Sequence, residues 1–247
     1  MTGCLTLGSL LLFHMMEIPA GRACRAAGAR LKRKGIVNLL TGLTMQIRPE
    51  ELGAEEAYKL LTGMVVPRPI AWITTLSATG SVNVAPFSAF TFVSPKPPMV
   101  AVSIGHKAGV YKDTAQNILR SEEYVVHIAD QPLIQAVHGS AVEYPPDVSE
   151  AEVLGLETIA SEKVAPPRLV APPVAMECRF RSCIEFGETR SRLIVGEVLM
   201  FHVRDGLARN GKIDTLELNP ICRLGGPNYA TLGEVVTLAA IAQTPKS

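Results

Sequence analysis

The sequence predicts a mainly β protein, an antiparallel barrel or sandwich with a few flanking helices, on three observations. Short extended segments recur between turn signals, as in RPIAWITTLS, MVAVSIG and EYVVHIA. The 18 prolines fall in clusters, at Pro95–Pro98, Pro145–Pro146, Pro166–Pro167 and Pro172–Pro173. Proline removes an interior helix bond, so such clusters read as loops between strands. Neither G-x-G-x-x-G after a strand nor G-x-x-x-x-G-K-[ST] occurs, which disfavours a parallel βαβ nucleotide domain.

The elements follow in order. EELGAEEAYKLLTGM has the spacing of a short amphipathic helix. RPIAWITTLS is a strand, ATG turns the chain, and SVNVAPFSAF and TFVS continue extended. PKPP is a loop, and MVAVSIG is an apolar strand of the kind buried on both faces. VYKDTAQNILRS reads as a helix with Ile118 and Leu119 inward, EYVVHIA as a strand, and QPLIQAVHGSAV as a helix. The Pro-rich region 144–173 shows little regular structure. VAMECRFRSCIEFGETRSRLIVGEVLMFHVRDG reads as two long strands joined near Gly187–Arg190, with half-buried alternation in CRFRSCIEF.

Apolar residues at 47% and charged residues at 19% are ordinary for a folded globular chain, and 247 residues suffice for one good-sized domain. Residues 1–49 hold seven basic residues and one acid, which leaves the rest of the chain at −5 from a total of +1. That acidic remainder disfavours nucleic acid as a partner. No C-x-x-C is present, and the five histidines fall in no ligand spacing, so no metal is expected. The five cysteines read as reduced thiols in a reducing, cytoplasmic compartment. Cys178 and Cys183, five apart on one strand, are expected on opposite faces.

The first 44 residues differ in character. MTGCLTLGSLLLF precedes GRACRAAGARLKRKG, the reverse of the order in a secretory signal. The apolar run is too short to span a bilayer, so no membrane is expected. An Arg-rich, acid-poor leader also mimics an organelle transit peptide. The plainer expectation is that translation begins at Met45. Residues 1–44 would then be a poorly packed leader or a mis-assigned start, and 45–240 the folded domain.

YKDTAQNI, residues 111–118, puts a cation, an acid and a hydroxyl at a helix start. Two readings apply. Asp113 and Thr114 can cap the first turn. Alternatively, Lys112, the helix-start N–H groups and the helix dipole can receive a phosphate.

The run VPRPIAWITTLSATGSVNVAPFSAFTFVSPKPPMVAVSIG, followed by KDTAQNI and EYVVHIA, resembles the flavin reductase-like family. GEVLMFHVRDG and ICRLGGPNYATLGE resemble its closing strand and its R-L-G-G-x-x-Y segment, so the likeness covers roughly 55–235. The resemblance implies an FMN-binding split β-barrel, the group of flavoredoxins and of reductase components of two-component monooxygenases. It implies a homodimer with FMN near the interface, and a monooxygenase or other acceptor as partner. NADH or NADPH would be a transient reductant giving hydride to flavin N5, and such a step needs no general base. No catalytic side chain is assigned.

The resemblance also implies the site. Ser103, Lys112 and Thr114 lie where the family holds the phosphate, with Asp113 capping the helix or orienting Lys112. His106 and Lys107 are alternative cationic contacts. Asn83, Pro86, Phe87, Ser88 and Ala89 lie at the pyrimidine edge of the ring, and Thr74 and Thr75 on the neighbouring strand. Asn83 reads equally as a turn residue. Arg223, Gly225, Gly226 and Tyr229 would approach the flavin, with Asn228 and Tyr229 equally able to shape a dimer contact. Trp72 and Phe90 read as core. His202 is the candidate proton donor, though a lone strand histidine is more often structural. His127 stands where the family often has Asn. Two rivals remain: an FMN electron carrier without NAD(P)H activity, and a flavin oxidase of a small substrate shaped by 144–173.

Overall fold

Seven antiparallel strands build the main sheet: β1 (Ala71–Leu76), β2 (Val82–Phe87), β3 (Phe90–Pro95), β4 (Pro98–Ile104), β5 (Glu123–Ile128), β6 (Val174–Phe186) and β7 (Ser191–Val203). Their spatial order is β2-β1-β5-β6-β7-β4-β3. The outermost strands, β2 and β3, are joined by Ser88 and Ala89 alone. Two residues cannot cross a flat seven-stranded sheet, so the sheet must curl until its edges meet. The Ser103 N–H donates to the Ala89 carbonyl (2.8 Å) across that seam.

This computed structural model describes residues 45–107, 109–145 and 148–241. The chain divides into two units, residues 1–51 and 52–247. Of the first unit, residues 45–51 are described, with a 3-10 turn over Pro49–Glu51. The expected leader, 1–44, lies outside the described residues. Among them, no helix is long and apolar enough to cross a membrane.

Alternation along β1 divides the interior. Ala71 and Ile73 join a core with Phe87, Val102, Tyr124 and Ile194, whereas Trp72 joins a second core with Val84, Leu169 and Ile221. Trp72 is fully buried, its indole N–H donating to Ser140 Oγ (2.8 Å). Helix α1 (Ala54–Met64) buries no residue. Helix α2 (Asp113–Ser121) seats Ala115 and Ile118 in the first core. Gly196 is needed for packing, because a Cβ there would collide with the Tyr124 hydroxyl.

Two expectations need correction. Cys178 and Cys183 pack against the same core. Phe180 pairs with Gly196 and Ser182 with Val195, so Arg181 is an extra, bulged residue that resets the alternation. Region 144–173 is mostly irregular among its described residues, as expected, with a one-turn helix, Glu150–Val153, and a short ribbon, Thr158–Ile159 with Arg168–Leu169. The predicted helix from Val110 begins only at Asp113, since Val110–Tyr111 pairs with His106–Lys107.

Candidate functional site

A groove of about 1460 Å³ opens where the barrel seam meets the chain's two ends of regular structure. Helix α1, the β2–β3 link, the end of β4, Lys112, the β6–β7 hairpin tip and residues around Arg223 line it. Arg68, flanked by prolines, organises one wall. Its guanidinium donates to Ser88 Oγ (3.3 Å), to the Val65 carbonyl (2.9 Å), to the Thr62 carbonyl and to the Leu224 carbonyl (2.9 Å). It therefore ties the end of α1, the β2–β3 link and the last loop into one surface. Ser88 accepts that bond through oxygen, so its own O–H remains able to donate.

Lys112 is the residue just before α2, and its carbonyl accepts from the Ala115 (2.9 Å) and Gln116 (3.1 Å) N–H groups. No side chain caps this helix. The capping reading of Asp113 and Thr114 is thus corrected: Asp113 is the first helical residue, and the Thr114 hydroxyl donates instead to Asn83 Oδ1 (2.8 Å). Lys112 is exposed, forms no ion pair among the described residues, and holds Nζ 5.6 Å from the Phe87 ring centroid. Ser103 lines the same groove. His106 does too: its Nδ1 lies 3.1 Å from the Thr189 carbonyl, while its Nε2 is buried with no partner among the described residues.

The structure thus brings Pro86, Phe87, Ser88, Ala89, Ser103, Lys112 and Arg223 to one groove. It does not bring Thr74, Thr75, Asn83, Asp113 or Thr114 to the groove lining. The Thr74 hydroxyl donates to the Pro167 carbonyl (2.7 Å). The Thr75 hydroxyl donates to Asn83 Oδ1 (3.2 Å) and accepts from Asn117 Nδ2 (3.1 Å). Asn83 lies inside β2 rather than in a turn, and its Nδ2 donates to Glu150 Oε1 (3.0 Å). Glu150 Oε2 accepts from the Val84 N–H (2.8 Å), and burial pushes its carboxyl pKa up. This chain of bonds locks α2 and the Glu150 turn onto the barrel.

Arg223 Nη1 donates to the Tyr229 hydroxyl (2.6 Å), which lies 3.1 Å from His138 Nδ1. His202 Nε2 sits 2.6 Å from Glu177 Oε1 and does not line the groove. His127 is fully buried between the Trp72 carbonyl (Nδ1, 2.9 Å) and the Leu169 N–H (Nε2, 2.9 Å). It is structural, and burial pulls its pKa down to about 4. The residues missed by the sequence reading are Arg68, Glu150 and the arginines of the β6–β7 hairpin. The one local signal was the proline on each side of Arg68.

The fold is an antiparallel β-barrel with a cation-bearing groove at its seam, and likeness to known proteins narrows its class. Residues 63–217 match the flavin reductase like domain, and the chain belongs to that family. The fold is the split barrel of flavin reductases. YwrF of Bacillus subtilis (strain 168) is 40% identical over 195 residues, covering 76% of this chain and 95% of YwrF. Nitrilotriacetate monooxygenase component B from Bacillus cereus superimposes with a TM-score of 0.77 at 39% identity, over 80% of this chain and 100% of that one. The 2-nitrobenzoate 2-nitroreductase NbaA of Pseudomonas fluorescens gives 0.73 at 30% identity, over 81% and 98%.

Proposed function

We propose that this chain is an FMN-binding oxidoreductase, reduced by NADH or NADPH, that passes electrons to a separate acceptor. One observation carries the reading. An exposed lysine and a buried histidine nitrogen, neither partnered by an ion pair or hydrogen bond among the described residues, line one groove with a serine hydroxyl, at Lys112, His106 and Ser103. A phosphate monoester supplies the anion and acceptor oxygens that such a set lacks. The residues therefore fit the group.

Lys112 and Ser103 would hold the phosphate, with His106 Nε2 as a further donor or acceptor. The β2–β3 link adjoins that pocket, through the Lys112–Phe87 contact and the Ser103–Ala89 bond. Ser88, positioned by Arg68, would then present its hydroxyl to the ring edge. Bound flavin supplies the capacity to accept hydride and release electrons. The protein's part is to orient the ring and leave one face open to the reductant, so no general base is required.

The groove also supports a homodimer. Tyr58, Leu61 and Val65 of its α1 side are 66%, 61% and 61% exposed, and a second copy would cover them. Likeness to a monooxygenase component B favours a monooxygenase as the acceptor. Cys178, Cys183 and Cys222 are free thiols, in keeping with a reducing, cytoplasmic location.

The test is a visible spectrum of protein loaded with FMN, followed by anaerobic addition of NADH or NADPH. A protein-bound yellow chromophore that bleaches on addition is expected. A bound but unbleached flavin would leave an electron carrier, and no bound flavin would overturn the cofactor assignment.

A further inference from the structure

The β6–β7 hairpin tip carries a cluster that the flavin reading does not use. Arg190 Nε donates to Glu185 Oε1 (2.8 Å) and its Nη2 to the Tyr111 hydroxyl (3.0 Å). Tyr111 in turn donates to Glu185 Oε2 (2.8 Å). The Arg192 Cζ lies over the Tyr111 ring, 3.1 Å from its centroid, with Nε 3.7 Å from Glu185 Oε2. The His106 ring centroid sits 3.9 Å from that of Tyr111, the two rings tilted by 43°. The Arg190 side chain is 62% exposed and lines the groove, and its Nη1 makes no hydrogen bond among the described residues.

Arg190 closes the hairpin turn at φ 54, in the left-handed region uncommon for a residue with a side chain, and its N–H donates to the Gly187 carbonyl (3.1 Å). Such conformations collect at binding sites. Here the conformation sets a planar, always-charged fork on the groove rim. Tyr111 directly precedes Lys112, and His106 joins the hairpin through Thr189, so this rim adjoins the proposed monophosphate pocket. Among the described charged residues that line the groove, Arg68, Lys112, Arg190 and Arg223 face a single carboxylate, Glu188. Glu185 stays ionised because the Arg190 hydrogen bond holds its carboxyl pKa down to about 2.

We propose that Arg190, positioned by Glu185, Tyr111 and Arg192, forms a second anion site that takes the adenosine-diphosphate half of a dinucleotide. The inference rests on the flavin reading. Two ligands share that chemistry. In FAD a second phosphate extends directly from the flavin's own, and in NADH or NADPH the diphosphate belongs to the reductant.

The test compares wild type with Arg190→Gln, which keeps an extended polar side chain but removes the charge. FMN and FAD affinities are read by flavin fluorescence quenching, and the KM for NADH and NADPH is measured at saturating FMN. FMN affinity is expected to stay within about twofold. In one arm FAD affinity falls by roughly tenfold, or in the other the nicotinamide KM rises by roughly tenfold, as expected for one charge-assisted contact. The arm that responds identifies the dinucleotide. Unchanged FAD affinity and KM alongside intact FMN binding overturn the second site. An equal loss of FMN affinity also overturns it, by placing Arg190 in the monophosphate pocket. Failure of the wild type to bind FMN sinks the flavin reading itself and this inference with it.

Discussion

The groove and the patch around Glu177 both gather charged side chains, and they treat them in opposite ways. Glu177 is fully buried. Its carboxylate accepts from the Glu162 N–H (2.9 Å), the Lys163 N–H (2.6 Å) and His202 Nε2 (2.6 Å). Burial alone would push its pKa up, but these bonds prevail and hold it below the ordinary value. In the groove, among the described residues, Lys112 is exposed without an ion pair and His106 Nε2 is buried without a partner. A saturated charge staples the 158–169 segment to the sheet. Unsaturated donors in a concave wall are what the proposed flavin phosphate would satisfy.

The contrast breaks first if Glu177 proves dispensable. Glu177→Ala would strand two backbone N–H groups and His202, and should cost about 3–5 kcal/mol of stability. Urea denaturation measures it, and FMN affinity of the folded variant should be unaffected. Lys112→Ala should do the reverse. FMN binding should weaken by about 1.5–3 kcal/mol in an equilibrium titration, while the melting temperature holds.

His127 gives a pH signature on the structural side. Its folded pKa, about 4, lies below the ordinary 6.5. Between those values the unfolded chain binds a proton that the native chain does not, so stability falls as pH falls through this window. Urea melts at pH 7.5 and pH 5 should differ by about 2 kcal/mol from this group. His127→Asn should remove most of that difference. The smallest effect sharpens the groove side: Ser88→Ala should shift the bound flavin's potential more than its affinity. A change in affinity alone would move Ser88 away from the ring edge.

Much of the groove was legible because it is made of strand ends and helix starts. Turn residues and apolar runs locate those junctions, and it was the family resemblance that joined Phe87, Ser88, Ser103 and Lys112 into one expected site. Whether a polar side chain faces a ligand or a buried partner is a tertiary matter. Asn83 has the chemistry for a flavin edge, yet Glu150 lies 67 residues away and claims its amide. Thr75 and Thr114 follow Asn83 inward. Arg68 was invisible for the same reason, since its carbonyl partner Leu224 lies 156 residues on. The bulge at Arg181 left no turn residue to mark it, and so the cysteine faces were misread.

The most direct measurement is a calorimetric comparison of FMN with riboflavin, which differ only by the phosphate, on wild type and Lys112→Ala. A groove that anchors the phosphate at Lys112 binds FMN at least about tenfold more tightly than riboflavin, and the substitution collapses that preference. Equal affinity of the wild-type protein for the two flavins would contradict the account.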